Sequence, residues 1–179
     1  MLNFSSQRIV SLLRIVQDNS NTATKKGRSL EDLICYIFGK VPGITITYRN
    51  KLNTFNSEEI DIAMWNSKFQ GILDFLPNII LVEAKNWSRP VSSIEVAWFD
   101  RKLRSRGLDF GILVAVNGIT GNSQEHTSAH QIIAQSLVEH RHMIVFTADD
   151  IKSFSNTKNL VDLIKLKFCE LAVTGTLFP

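Results

Sequence analysis

The sequence predicts an α/β fold in which a central mixed β-sheet is flanked by helices on both faces. The spacing of apolar residues changes along the chain and gives the order α-α-β-β-β-α-β-α-β-α. Three consecutive strands favour an antiparallel meander, whereas the later alternation of strands and helices favours parallel pairing. We therefore expect one sheet with an antiparallel part followed by a parallel part.

The first two helices are predicted from apolar stripes at helical spacing. Residues 5–17 carry Ile9, Leu12, Leu13 and Val16 on one face. The polar residues 18–27 are predicted to form a loop. A second helix should then begin at Ser29, which would cap it in a motif resembling a capping box with Asp32.

Alternating and continuous apolar segments predict the remaining elements. The strands are expected at 44–48, 59–65, 78–85, 110–116 and 143–147, and the helices at 92–105, 128–140 and 159–171. The run 78–85 begins as a continuous apolar stretch, which is typical of a strand buried on both faces.

Length and composition predict one globular domain. The chain has 179 residues, 44% of them hydrophobic, and a formal net charge of only +3. We divide it into an N-terminal helix and linker at 1–26 and a main domain at 27–179. Cys35 and Cys169 lie in apolar stretches and are expected to be buried free thiols, which suits a soluble protein of the reducing cytoplasm.

Three charged residues stand where charge is costly. Glu83 and Lys85 project from one face of the most apolar strand, and Asp61 interrupts the preceding strand. Antiparallel pairing would bring Asp61 beside Glu83. Two carboxylates and a backbone carbonyl form the hard oxygen site that Mg²⁺ prefers, and a nearby lysine suits phosphodiester hydrolysis. The alternative is a structural salt bridge between Glu83 and Lys85.

The segments IDI (60–62) and LVEAKNW (81–87) resemble the signature of PD-(D/E)xK nucleases. They resemble the Mrr-like branch of restriction endonucleases, in which the first motif position, here Ile60, is often not proline. The resemblance covers about residues 27–151. It implies a restriction-endonuclease-like three-layer fold with an α-β-β-β-α-β core.

The resemblance also implies roles for individual residues. Asp61 and Glu83 would ligate Mg²⁺, for which Mn²⁺ could substitute, together with the carbonyl of Ala84. Lys85 would act on the attacking water. Glu31 matches an acidic residue that often completes such sites, although a first-turn carboxylate that favours the helix dipole is the alternative.

Basic residues around these motifs are candidates for contacts with nucleic acid. Between residues 85 and 106 six basic residues accompany two acidic ones, which suits phosphate binding but also an ordinary solvated helix face. Glu95 in this stretch is a possible partner for Lys85. The full set of candidate nucleic-acid contacts is Lys25, Lys26, Arg28, Asn86, Arg101, Lys102 and Arg104.

The favoured function is a Mg²⁺-dependent DNA endonuclease of restriction or phage defence, with specificity supplied by its own loops, by a homodimer or by a partner subunit. A non-catalytic nuclease-like module that binds nucleic acid or protein is one alternative. A junction resolvase or RNA nuclease on the same fold is another. The pair His126 and His130 lacks the glutamate of an HExxH motif, which argues against a metal site there.

Overall fold

The computed structural model describes residues 1–53, 58–121 and 128–175. Its helices are α1 (Ser6–Gln17), α2 (Ala23–Phe38), α3 (Ser93–Ser105), α4 (Ala129–Val138), α5 (Ala148–Lys152) and α6 (Thr157–Thr174). Its strands are β1 (Ile44–Leu52), β2 (Glu59–Asn66), β3 (Ile79–Lys85), β4 (Phe110–Ala115) and β5 (His142–Phe146). A short 3₁₀ turn, Phe69–Gly71, lies between β2 and β3.

The five strands form one mixed sheet in the order β1-β2-β3-β4-β5. The pairs β1/β2 and β2/β3 are antiparallel, and the pairs β3/β4 and β4/β5 are parallel. The predicted meander followed by parallel pairing is therefore confirmed. Strand β4 is buried along its whole length, because it lies between two strands and is covered on both faces.

Helices cover both faces of the sheet. Gly111 of β4 faces Phe99 and Leu103 of α3, and α4 packs beside α3. On the opposite face Phe38 of α2 stacks on Phe146 of β5, with ring centroids 6.4 Å apart. Helix α6 covers the same face, and α1 packs on α2. The predicted three-layer arrangement is thus present.

Gly111 leaves room for α3, and its replacement is expected to be destabilising. An added Cβ would lie 2.7 Å from Cζ of Phe99 and 2.9 Å from both methyl carbons of Leu103. We expect Gly111→Ala to lower the free energy of unfolding by about 1–3 kcal/mol through overpacking. Urea denaturation would measure this change.

The matched control is Gly27→Ala in the helix α2. A Cβ at Gly27 would meet no atom within 4 Å. Alanine there is expected to raise the free energy of unfolding by about 0.5–1 kcal/mol, because glycine weakens a helix interior. Equal effects of the two substitutions would show that the close approach of α3 to Gly111 carries no strain.

Helix α2 begins six residues before the predicted start at Ser29. The hydroxyl of Thr22 accepts a hydrogen bond from the N–H of Lys25 at 3.3 Å and caps the helix. Ser29 is instead buried within the helix, and Asp32 pairs with Arg49 rather than capping. The predicted domain boundary at 26/27 therefore falls inside α2, and α1 contributes to the same hydrophobic core.

Several smaller features also differ from prediction. Strand β1 extends beyond the predicted residue 48, with a bulge between Ile46 and Tyr48. Helix α5 was not predicted, although Thr147 and Asp150 form a capping box at its start. Cys35 is half-buried, but Cys169 is exposed, so the prediction of two buried thiols is wrong for Cys169. His126 lies outside the described residues.

In the part of the chain that the structure describes, no helix has the length and apolar character needed to cross a membrane.

Candidate active site

Asp61, Glu83 and Lys85 lie together where β2 and β3 meet. The antiparallel register pairs Ile62 with Val82, which places Asp61 across from Glu83 one position further on. The Oδ2 atom of Asp61 accepts a hydrogen bond of 2.7 Å from the N–H of Ala84. The predicted juxtaposition of these side chains is therefore present in the structure.

Glu83 is a buried carboxylate held between two ammonium groups. Its side chain is only 6% exposed, and its Oε1 lies 3.0 Å from Nζ of Lys85. Its Oε2 lies 2.6 Å from Nζ of Lys102. A buried carboxylate needs such partners, because removing its charge from water is otherwise costly.

Helix α3 contributes two charged side chains to this cluster. The register of β3 against β4 places Glu83 and Lys85 on the same face as Gly111, which is the face that α3 covers. From α3, Glu95 reaches Nζ of Lys85 at 3.2 Å, and Lys102 reaches Glu83. These two residues are seven positions apart and share one side of the helix. Asp61, Glu83, Lys85, Glu95 and Lys102 are called the charged cluster below.

The charged cluster perturbs the ionisation of Asp61 and Lys85. Burial and the neighbouring carboxylate of Glu83 raise the pKa of Asp61 to about 6, against the opposing effect of its hydrogen bond from Ala84. Burial disfavours the charge on Lys85, but the carboxylates of Glu83 and Glu95 outweigh it and raise the pKa of this lysine. The ionised form of Asp61 is thus disfavoured by its surroundings, and the protonated form of Lys85 is favoured.

The donor set of the charged cluster fits a hard divalent cation. Asp61 and Glu83 supply carboxylate oxygens, and burial together with the charge of Glu83 raises the pKa of Asp61, so a nearby cation would favour its charged form. The carbonyl of Ala84 faces the same side of β3 as its N–H, towards Asp61. Among the described residues no group of three or more His, Cys, Asp or Glu side chains lies close enough together to hold a metal ion. Few protein ligands and several waters are typical of Mg²⁺.

Glu31 is not brought into the charged cluster. Its Oε2 accepts hydrogen bonds from Asn50 at 2.8 Å and from Arg49 at 3.3 Å, both on β1. The physical reason is that α2 packs on the face of the sheet opposite to α3. A metal-binding role for Glu31 stays a prediction without a supporting contact.

The predicted nucleic-acid contacts fall into two groups in the structure. Lys26 and Asn86 line one polar depression of about 190 Å³, together with Trp87 and Asn117. Asn86 and Trp87 directly follow the last residue of β3 in the chain. Also on the α1–α2 side are Lys25, which donates to Asn21 at 2.8 Å, and the exposed Arg28.

The second group lies on α3. Arg101 is exposed, and its guanidinium lies 5.0 Å from the ring centroid of Trp98. Arg104 is 66% exposed and pairs with Glu139 at 3.5 Å. Lys102 points instead to Glu83, a contact that the sequence-based interpretation missed. Its seven-residue spacing from Glu95 was the available signal.

A family model described as restriction endonuclease, Mrr_cat, matches residues 23–144. The chain belongs to this restriction endonuclease family. The matched segment runs from the start of α2 into β5 and includes the whole charged cluster. No curated protein matches the chain. This restriction endonuclease domain therefore supports a nuclease of that type, as its sequence motifs predicted.

Proposed function

We propose that this restriction endonuclease domain is a Mg²⁺-dependent DNA endonuclease that acts in restriction or phage defence. The observation that carries the proposal is the buried group of Asp61, Glu83 and Lys85 within a chain of this family. A purely structural salt bridge would not need Asp61, whose raised pKa shows that its charge is unfavourable in the metal-free protein.

Asp61, Glu83 and the carbonyl of Ala84 are the proposed ligands of Mg²⁺, with Mn²⁺ as a substitute. A bound divalent ion would supply Lewis acidity and neutralise charge on the phosphate. The protein's own contribution is to hold two carboxylates side by side in a mostly buried position. The hydrogen bond from Ala84 to Asp61 fixes the direction of one of them.

Lys85 is proposed to act as a cation rather than as a proton acceptor. Glu83 and Glu95 raise its pKa, so its Nζ stays protonated at neutral pH. An ammonium group at this position can orient the attacking water and stabilise the negative charge that develops on the phosphate. Glu95 positions Lys85 from the side of α3, at 3.2 Å.

DNA is proposed to pass over the end of the sheet at which β3 stops. Lys26 and Asn86 line the depression at this end, and Arg101 and Arg104 are exposed on α3, which covers one face of the sheet. Contacts of such residues with phosphates would make binding weaken as salt increases. A second copy of the chain or a partner subunit would supply sequence specificity.

Cleavage of supercoiled plasmid with and without Mg²⁺ tests the proposal. We expect nicking or linearisation by the wild type, no product in EDTA, and a loss of at least about a hundredfold in Lys85→Ala. Lys152→Ala serves as the matched control, because Lys152 is an exposed lysine that pairs only with Asp149 among the described residues. Its cleavage rate should equal that of the wild type.

Cleavage that survives in Lys85→Ala or in EDTA would contradict the proposed mechanism. Absence of cleavage with Mg²⁺ and Mn²⁺, on methylated and unmethylated plasmid, would favour a non-catalytic nuclease-like module. A panel of linear duplex, single-stranded, junction and RNA substrates would separate an endonuclease of duplex DNA from a junction resolvase or an RNA nuclease.

A further inference from the structure

Both oxygens of Glu83 are already occupied by cations of the protein. Lys85 lies on Oε1 at 3.0 Å, and Lys102 lies on Oε2 at 2.6 Å. A divalent ion that approaches this carboxylate must therefore compete with at least one ammonium group. The shorter of the two contacts belongs to Lys102.

The two lysines differ in the carboxylate partners that they would keep if a metal ion displaced them from Glu83. Lys85 has a second carboxylate partner, Glu95, at 3.2 Å. Lys102 forms its only ion pair within the described residues with Glu83. Its side chain is 13% exposed, so a displaced Lys102 would leave a poorly solvated charge unless another anion took the place of Glu83.

The net charge of the charged cluster indicates which anion could replace Glu83 as the partner of Lys102. Three carboxylates and two ammonium groups give the charged cluster a net charge of about −1 when all five residues are ionised. A bound divalent ion would change this to about +1, which a singly charged phosphodiester would neutralise. The flexible stem of a lysine allows its ammonium group to move from one anion to the other.

On the basis of the proposed function, we propose that Lys102 competes with the divalent metal for Glu83 and transfers to a DNA phosphate when substrate binds. Metal binding and DNA binding are thereby coupled. The metal ion binds weakly to the free protein and more tightly to the complex, and by linkage DNA binds more tightly to the metal-loaded protein. Such coupling limits assembly of the metal site when DNA is absent.

Calorimetric titration with Ca²⁺ alone, with and without a short DNA duplex, tests this inference. Ca²⁺ is a hard cation that prefers the same oxygen ligands, and gel electrophoresis would verify that the duplex stays intact. In the free protein, Lys102→Met should bind Ca²⁺ roughly 5- to 100-fold more tightly than the wild type. DNA should tighten Ca²⁺ binding by a similar factor in the wild type and not in Lys102→Met.

Two further variants control for loss of charge and loss of folding. Lys158→Met removes a lysine that is paired with Asp162 on α6, away from the charged cluster, and should leave Ca²⁺ affinity unchanged. Lys102→Arg keeps the cation and should keep the weak affinity and the coupling. Circular dichroism would establish that each variant is folded before titration.

The outcomes separate this inference from the proposed function. Asp61-dependent Ca²⁺ binding that is unchanged or weakened in Lys102→Met would overturn the role of Lys102 and leave the metal site standing. DNA-induced tightening that persists in Lys102→Met would also overturn it. The same titration of Asp61→Asn shows whether Ca²⁺ binding depends on Asp61. If Asp61→Asn bound Ca²⁺ as the wild type does, the proposed metal site and the inference built on it would both fail.

Discussion

Asp61→Asn is expected to abolish DNA cleavage while it stabilises the metal-free protein. The amide cannot supply the negative charge that a hard divalent cation requires, so we expect the cleavage rate to fall by roughly a hundredfold or more. The amide oxygen can still accept the hydrogen bond from Ala84 that Oδ2 accepts in the wild type. Plasmid cleavage and unfolding by urea would measure the two effects on the same preparation.

The stabilisation follows from the pKa of Asp61. Burial and Glu83 raise this pKa from 3.8 to about 6 in the folded protein. The folded state therefore binds the proton more tightly than the unfolded state, and stability falls as pH rises from about 4 to about 6. Each pKa unit corresponds to about 1.4 kcal/mol, so the full penalty above pH 6 is at most about 3 kcal/mol.

Because the charge of Asp61 destabilises the folded wild type as pH rises, the stability difference between Asp61→Asn and the wild type should depend on pH. Asp61→Asn and the wild type should differ least in stability at about pH 3 and below, where Asp61 is mostly protonated in both states. The difference should grow to about 1–3 kcal/mol in favour of the variant by pH 8, measured with EDTA present. Excess Mg²⁺ should stabilise the wild type and not the variant. A variant less stable than the wild type at pH 8 would contradict the unfavourable charge assigned to Asp61.

Asp100→Ala is expected to cause the largest loss of stability among these substitutions. Asp100 accepts hydrogen bonds from Nε and Nη2 of Arg141 at 2.8 and 3.1 Å and from the hydroxyl of Ser136 at 2.5 Å. The Arg141 side chain is 10% exposed, and without Asp100 it would keep only Glu139 as an ion partner among the described residues. Breaking one side of a buried pair costs about 3–5 kcal/mol.

The control for this prediction is Asp149→Ala. Asp149 is also paired with a basic residue, Lys152, at 3.1 Å, but its side chain is 90% exposed. Exposed pairs contribute about 0–1 kcal/mol, so urea unfolding should hardly change. If Asp100→Ala lowered the free energy of unfolding by less than about 1 kcal/mol, the hydrogen bonds of Asp100 would not anchor α3, the helix that carries Glu95 and Lys102.

Much of the fold could be predicted because the relevant signals are local. Strand β2 alternates in sequence, and its buried Ile62 and Met64 lie on one side as the pattern requires. The continuous apolar run of β3 predicted a strand buried on both faces, and β3 lies inside the sheet between β2 and β4. The start of α2 was predicted too late, because the polar stretch before Ser29 contains no apolar stripe, although Thr22 provides a cap.

The sequence by itself determined the order of the elements, the mixed sheet and the residues Asp61, Glu83 and Lys85 as one group. It could do so because the alternation of side chains along adjacent strands fixes which residues share a face. Only the tertiary structure decided that Lys102 contacts Glu83 and that Glu31 pairs with Arg49 and Asn50. These contacts depend on which face of the sheet each helix covers, and that choice arises from packing between residues distant in sequence.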